Sequence, residues 1–160
     1  MMKYLIVPLA CLIVFLVGRF PAFWGCSIEN RFLYTLSHAN VWHLIINIIG
    51  YWVVRPLIKG KGLWELPLVL MLGFAASFGT VEPTVGLSGA LWGIAGISAR
   101  RKRDGFRFML FVVLLALFQS MLSHFAWGVH LLGFAFGYLI QLVYDSRIFR
   151  ARGSSSQRAV

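Results

Sequence analysis

The sequence contains little charge and very little acid. Only 12% of its 160 residues are charged, and 15 Lys and Arg stand against 5 Asp and Glu. A soluble domain carries about 25% charged residues, so this chain has too few to cover a water-exposed surface. Instead, 59% of the residues are hydrophobic, and the mean hydropathy is +0.80. We therefore predict one domain whose solvent is largely the lipid bilayer.

Cysteine is equally scarce, with only Cys11 and Cys26 in the chain. Their spacing is neither that of a zinc site nor that of a redox CxxC pair, so it predicts no metal site and no disulfide framework. Cys11 lies within an apolar run, where a packing role is expected. A disulfide between Cys11 and Cys26 is the alternative.

Six apolar runs repeat along the chain, each long enough to cross or nearly cross about 30 Å of hydrocarbon. They cover residues 4–17, 41–54, 63–78, 87–99, 106–122 and 127–144. Pro, Gly and charged residues separate them. The sequence thus predicts an all-α polytopic membrane protein, a six-transmembrane-helix bundle, with its transmembrane domain at residues 1–147. The polar residues 148–160 are predicted to form a disordered cytoplasmic tail.

The net charge of +10 comes from short basic clusters between apolar runs, a placement that indicates membrane topology rather than nucleic-acid binding. In a six-span arrangement only Arg19 and Arg31 fall on the outer side. The inner side holds Lys3, Arg55, Lys59, Lys61, Arg100, Arg101, Lys102, Arg103, Arg107, Arg147, Arg150, Arg152 and Arg158. We therefore expect both termini to be cytoplasmic. We also expect the membrane to be a bacterial inner membrane. A cleaved signal peptide over the first run is the alternative, because Lys3 precedes an apolar stretch of suitable length.

Polar side chains within the predicted spans point to function, because they are costly in lipid. His43 and Asn47 are four residues apart and so share one face of the second span, where both can donate toward one point. Ser88 begins the fourth span within Gly86-Leu87-Ser88-Gly89, and its glycine neighbours allow backbone N–H groups to approach a developing oxyanion. The alternatives are an interhelical hydrogen-bonded pair for His43 and Asn47, and a close-packing helix surface for the glycines.

His130 lies near the outer end of the last span and is followed by Gly133 and Gly137, a spacing that favours close packing against the Gly-rich fourth span. Such packing would bring the His130 imidazole to the Ser88 hydroxyl, an arrangement that activates a serine nucleophile. Trp92, one turn after Ser88, is expected to stack on His130. No carboxylate lies within a span on that side, so the sequence predicts a Ser–His dyad rather than a triad.

In order and spacing these motifs resemble those of the rhomboid intramembrane serine proteases, over the second to sixth spans. The stretch from His38 to Asn47 is similar to the family's HxxxN pattern, Gly86 to Gly89 to its GxSG motif, and His130 to Gly137 to its HxxGxxxG helix. The resemblance implies a transmembrane protein substrate and neither cofactor nor metal. It also implies the following roles: Ser88 attacks; His130 takes the proton; His43, Asn47 and the Ser88 backbone N–H hold the oxyanion; Trp92, Gly89, Gly133 and Gly137 pack the dyad.

Three features depart from the family pattern. Trp92 replaces a common tyrosine, Glu29-Asn30-Arg31 stands where many members have a Trp-Arg pair, and Pro56 occupies the place of a glutamate. The compact length also resembles rhombosortases, rhomboid-like enzymes that process C-terminal sorting tails of bacterial surface proteins. Two further alternatives are an inactive rhomboid-like protein that binds membrane helices, and a metal site built from His38, His43, His124 and His130.

Overall fold

The computed structural model describes residues 5–17, 28–58, 64–80, 84–101, 110, 114 and 127–156. These residues form α-helices, short 3₁₀ turns and connecting loops, without a β-strand among them, which confirms the predicted all-α class. The helices are α1 (Ile6–Val17), α2 (Ile28–Leu33), α3 (Val41–Val54), α4 (Glu65–Ala76), α5 (Ser88–Arg101) and α6 (Trp127–Ser156). The predicted fifth span, 106–122, lies outside the described residues except for Leu110 and Leu114, so the count of six spans stays a prediction.

Two of the described helices are long and apolar enough to cross a membrane, namely Val41–Ile58 and Trp127–Ser146. The first combines α3 with the 3₁₀ turn Arg55–Ile58, and its 18 residues span about 27 Å at 1.5 Å per residue. Asn40 sets where α3 begins, because its side chain accepts the backbone N–H of His43 at 2.9 Å. This cap satisfies one of the N–H groups that the first turn of a helix leaves unpaired.

Glycines bring α5 and α6 into backbone contact. A Cβ atom at Gly133 would overlap the carbonyl oxygen of Gly89, and one at Gly137 would overlap the carbonyl oxygen of Gly93. Only glycine fits at these two positions of α6, as in other close-packed membrane helices. Residue numbers increase along both helices from the contact of Gly89 with Gly133 to that of Gly93 with Gly137, so α5 and α6 run parallel.

The directions of α3 and α4 follow from the same kind of contact. Gly86 lies against His43 and Leu91 against Gly50, so α3 runs parallel to α5. Ala76 lies against Gly89 and Leu72 against Gly93, so α4 runs antiparallel to α5. The beginnings of α3, α5 and α6 and the end of α4 therefore meet at one end of the bundle. We call it the Ser88 end, and the opposite one the Arg100 end.

The Arg100 end holds two acidic residues of the described part of the chain, Glu65 and Asp145. Glu65 is 1% exposed, accepts the Tyr51 hydroxyl at 2.5 Å and pairs with Arg55 at 3.0 Å. These bonds tie the end of α3 to the beginning of α4. Asp145 of α6 accepts from Gln141 at 2.7 Å and lies 3.9 Å from Arg100 of α5.

Two further predictions from the sequence concern Cys11 and the residues after 147. Cys11 is a buried free thiol in the apolar core with Val7 and Val69, the packing role predicted for it; Cys26 lies outside the described residues. The helix α6 continues to Ser156, although residues 148–156 were expected to belong to a disordered tail. The physical reason is that residues 148–152 include no Gly or Pro, and extending a formed helix is easier than starting one.

Candidate active site

Ser88 and His130 meet at the Ser88 end of the bundle. Ser88 is the first residue of α5 and His130 the fourth of α6, and the Ser88 Oγ lies 2.9 Å from the His130 Nε2. The glycine contacts below them hold the two helices close enough for this hydrogen bond. His130 is only 3% exposed. A neutral imidazole in this place can accept the serine proton through Nε2.

Trp92 lies one helical turn beyond Ser88 and covers the His130 ring. The two ring centroids are 5.4 Å apart with an interplanar angle of 19°, a stacked arrangement. Stacking restricts rotation of the imidazole about its side-chain bonds. This contact can perform the orienting role that a carboxylate has in serine proteases with a triad.

His43 and Asn47 of α3 converge on Gly86, two residues before Ser88. A Cβ atom at Gly86 would lie 2.8 Å from the His43 Nε2 and 3.7 Å from the Asn47 Nδ2. Gly86 also has a φ of 117°, a backbone conformation that favours glycine. The Asn47 amide donates one N–H to the His43 carbonyl at 2.9 Å, and an amide carries a second N–H for another acceptor.

His38 lies beside this pair of donors, in the loop before α3. Its Nδ1 is 3.1 Å from the Leu36 carbonyl oxygen, and its ring meets the His43 ring edge-on with centroids 5.2 Å apart. Burial, together with repulsion from His43, lowers the pKa of His38 to about 4. His38 is therefore neutral at pH 7, and with Nδ1 protonated it donates to the Leu36 carbonyl.

Two residues of the segment before α3 contact the site region and were not predicted. Tyr34 is 1% exposed; its hydroxyl donates to the Gly73 carbonyl at 2.7 Å, and its own carbonyl accepts the Gly86 N–H at 2.9 Å. The Arg31 guanidinium donates to the Ser77 hydroxyl at 3.2 Å and lies 4.4 Å from the Phe78 ring centroid. No motif in the sequence marked them, because the segment between the first and second apolar runs holds several other large apolar side chains.

The histidines do not assemble into a recognisable metal centre in the described part of the chain. Among those residues no three His, Cys, Asp or Glu side chains group closely enough to hold a metal ion. His124, the fourth histidine of that alternative, lies outside them. His38 and His43 instead contact each other ring to ring.

The fold and the site together define an all-helical integral membrane protein with a serine and a histidine in hydrogen-bond contact where its helices meet. The family model described as Rhomboid domain matches residues 25–147. That range covers most of the chain, and the protein belongs to the rhomboid family, as the motifs predicted. No curated protein gives a significant match to the chain.

Proposed function

We propose that this protein is an intramembrane serine endopeptidase that cleaves a peptide bond in or near a transmembrane segment of a membrane-protein substrate. The observation that carries the proposal is the 2.9 Å contact between the Ser88 Oγ and the His130 Nε2. The family supports it, since rhomboid proteins are typically intramembrane serine proteases. His43, Asn47 and Gly86 beside the serine provide the second requirement, a place for an oxyanion.

The reaction divides into acylation and deacylation. Ser88 Oγ attacks the carbonyl carbon of the scissile bond while its proton passes to His130 Nε2. The carbonyl oxygen becomes an oxyanion, and the His43 ring N–H, the Asn47 amide N–H and the Ser88 backbone N–H donate to it. The C–N bond then breaks, and His130 returns the proton to the leaving amine. Water then attacks the acyl-enzyme while His130 takes a proton from it. The ester bond to Ser88 Oγ breaks, His130 returns the proton to Ser88 Oγ, and the carboxylic acid leaves.

We further propose a bacterial cytoplasmic membrane, six spans, cytoplasmic termini and a site that opens to the outer side. The uneven distribution of Lys and Arg supports this orientation. Because α5 and α6 run parallel, α5 ends at the Arg100 end and α6 begins at the Ser88 end. A further span between them would connect the two ends, which supports the count of six spans. Arg100 and Arg101 at the end of α5 then face the cytoplasm.

The substrate must expose its backbone at the cleavage point. In a membrane helix every carbonyl is engaged in the helix's own hydrogen bonds, so the scissile carbonyl is inaccessible to Ser88. We therefore propose substrates whose transmembrane segment contains Gly or another helix-destabilising residue near the outer margin. Such a segment unwinds locally and presents its carbonyl to the serine.

Activity-based labelling tests the proposal directly. Purified protein in proteoliposomes is treated with a fluorescent serine-reactive phosphonate and, separately, with a transmembrane substrate containing a Gly pair. We expect wild type to be labelled and to cleave, and Ser88→Ala and His130→Ala to lose both, by about 10⁴-fold or more in kcat. Ser98→Ala is the matched control, since Ser98 is a buried serine of the same helix.

The outcome also separates an enzyme from an inactive relative. If the protein only binds membrane helices, the wild type will bind the substrate but will show neither labelling nor cleavage. Equal cleavage by wild type and Ser88→Ala would remove Ser88 from the mechanism. If Ser98→Ala loses cleavage as completely as Ser88→Ala, the loss reflects a folding defect.

A further inference from the structure

Tyr34 connects three parts of the molecule at the Ser88 end. It lies in the turn that follows α2, outside the predicted motifs. Its hydroxyl donates to the Gly73 carbonyl of α4 at 2.7 Å, and its carbonyl accepts the Gly86 N–H at 2.9 Å. The hydroxyl also lies 3.2 Å from where a Cβ atom of Gly89 would be. One buried residue thus touches α4, the turn before Ser88 and the first turn of α5.

The Gly86 peptide is the part of this arrangement that bears on chemistry. Gly86 adopts a φ of 117°, and unusual backbone conformations persist where the surroundings fix them. The hydrogen bond to the Tyr34 carbonyl holds this peptide, and His43 and Asn47 lie close to the Gly86 Cα. The position of Gly86 therefore determines how far the donors of α3 stand from Ser88.

The Tyr34 hydroxyl determines where the Tyr34 carbonyl lies. Burial raises the pKa of the Tyr34 phenol, so the hydroxyl keeps its proton and acts as a donor. Its acceptor belongs to α4, which packs against both α5 and α6 through Ala76. The hydroxyl thereby anchors the turn to the same helices that carry Ser88 and His130.

We propose that Tyr34 is a positioning residue of the proposed protease, which holds the Gly86 peptide, and with it the oxyanion site of His43 and Asn47, at a fixed distance from Ser88. Tyr34 touches no reacting atom and transfers no proton. The inference rests on the proposed function, because it assigns Tyr34 a part in that reaction. It adds a requirement that neither the serine motif nor the histidine motif contains.

Tyr34→Phe tests it, because it removes only the hydroxyl. We expect kcat for the transmembrane substrate to fall about 10-fold or more, as misplaced catalytic groups do, with KM within about twofold because ground-state binding is unchanged. Tyr51→Phe is the matched control: it removes the hydroxyl of another buried tyrosine, which donates to Glu65 at the Arg100 end. Its kcat should equal that of wild type at temperatures where both variants are folded.

A double-mutant cycle with Asn47→Ala distinguishes positioning from loss of stability. If Tyr34 acts through the oxyanion site, Asn47→Ala should lower kcat much less in the Tyr34→Phe protein than in wild type, because residues that act as one unit are not additive. A general loss of stability would leave the two effects additive. Additive effects, or a Tyr51→Phe defect as large as that of Tyr34→Phe, would overturn the inference.

The two proposals fail in different ways. Wild-type protein that neither reacts with the phosphonate nor cleaves would refute the proposed function. Wild-type protein that cleaves while Tyr34→Phe cleaves with the same kcat would refute the positioning role and leave the protease intact.

Discussion

Gly86 sets the closest approach of His43 and Asn47 to the turn that carries Ser88. The added methyl group of an alanine would lie 2.8 Å from the His43 Nε2, within the space where the donors converge. The φ of 117° at this residue adds backbone strain for any L side chain. Both effects act on the oxyanion site and neither touches the Ser88–His130 hydrogen bond.

Gly86→Ala should therefore lower kcat by about 100-fold or more, the loss that follows removal of one oxyanion donor. Turnover of the transmembrane substrate in proteoliposomes measures it. Gly50→Ala is the control on α3, since its methyl group would meet only the end of the Leu91 side chain, at 2.9 Å. Full turnover by Gly86→Ala would show that His43 and Asn47 do not act at this point.

The pairing of Ser88 with His130 was predictable from the sequence, whereas the role of Tyr34 was not. Each motif combines a reactive side chain with glycines, and these residues are visible as letters at fixed spacing. The Tyr34 bonds reach Gly73 and Gly86, 39 and 52 residues away, and both involve main-chain atoms that any residue would present. Main-chain contacts of a loop leave no pattern in a single sequence.

At the scale of elements, the close contact of α5 with α6 depends on glycines, which have no Cβ atom. Gly137 faces the carbonyl oxygen of Gly93 so closely that a Cβ atom would overlap it. Separating the helices at this level would lengthen the distance between Ser88 and His130, two turns away along α6. The reactive pair is thus sensitive to a position that it does not touch.

Gly137→Ala should destabilise the protein by about 1–3 kcal/mol through overpacking and lower kcat by about 10-fold or more through the displaced dyad. Thermal unfolding in detergent and substrate turnover measure the two effects. Ala135→Val is the control, because Ala135 is exposed on α6 and its larger side chain would face away from α5. Unchanged turnover in Gly137→Ala would mean that the helices tolerate a wider separation.

The helices themselves were mostly predictable, because apolar runs of this length have few alternatives in a membrane. Residues 41–54 were predicted, and α3 is Val41–Val54. The helix α2 was missed, since its six residues, Ile28–Leu33, include Glu, Asn and Arg and lack an apolar run. Packing of Phe32 on Phe74 of α4, with ring centroids 4.3 Å apart, supplies what the local sequence does not.

For the whole molecule, the two ends of the bundle differ in chemistry. Among the described residues, the Ser88 end holds His38, His43, His130, Asn47 and Ser88. The Arg100 end holds the pair of Arg55 with Glu65 and the pair of Arg100 with Asp145. The orientation of these two ends in the membrane stays a prediction from the distribution of Lys and Arg. Each end also has exposed positions that can be labelled.

Single cysteines should report the orientation in a background with Cys11→Ser and Cys26→Ser. Ala39, exposed at the Ser88 end, and Ser146, exposed at the Arg100 end, are the two positions. We expect a membrane-impermeant maleimide to label Ala39→Cys in intact cells and Ser146→Cys only after permeabilisation. The reverse pattern would place the Ser88 end in the cytoplasm and contradict the proposed topology.

The shared direction of α3, α5 and α6 has an electrostatic consequence. Peptide dipoles add along a helix to about half a positive charge at its beginning, and the beginnings of these three helices meet around Ser88. His43, Ser88 and His130 all belong to the first turn or so of their helices. In the low dielectric of a membrane such partial charges are weakly screened. In the proposed reaction, the beginnings of these three helices add positive potential near the attacked carbonyl, which favours the negative charge that develops on its oxygen.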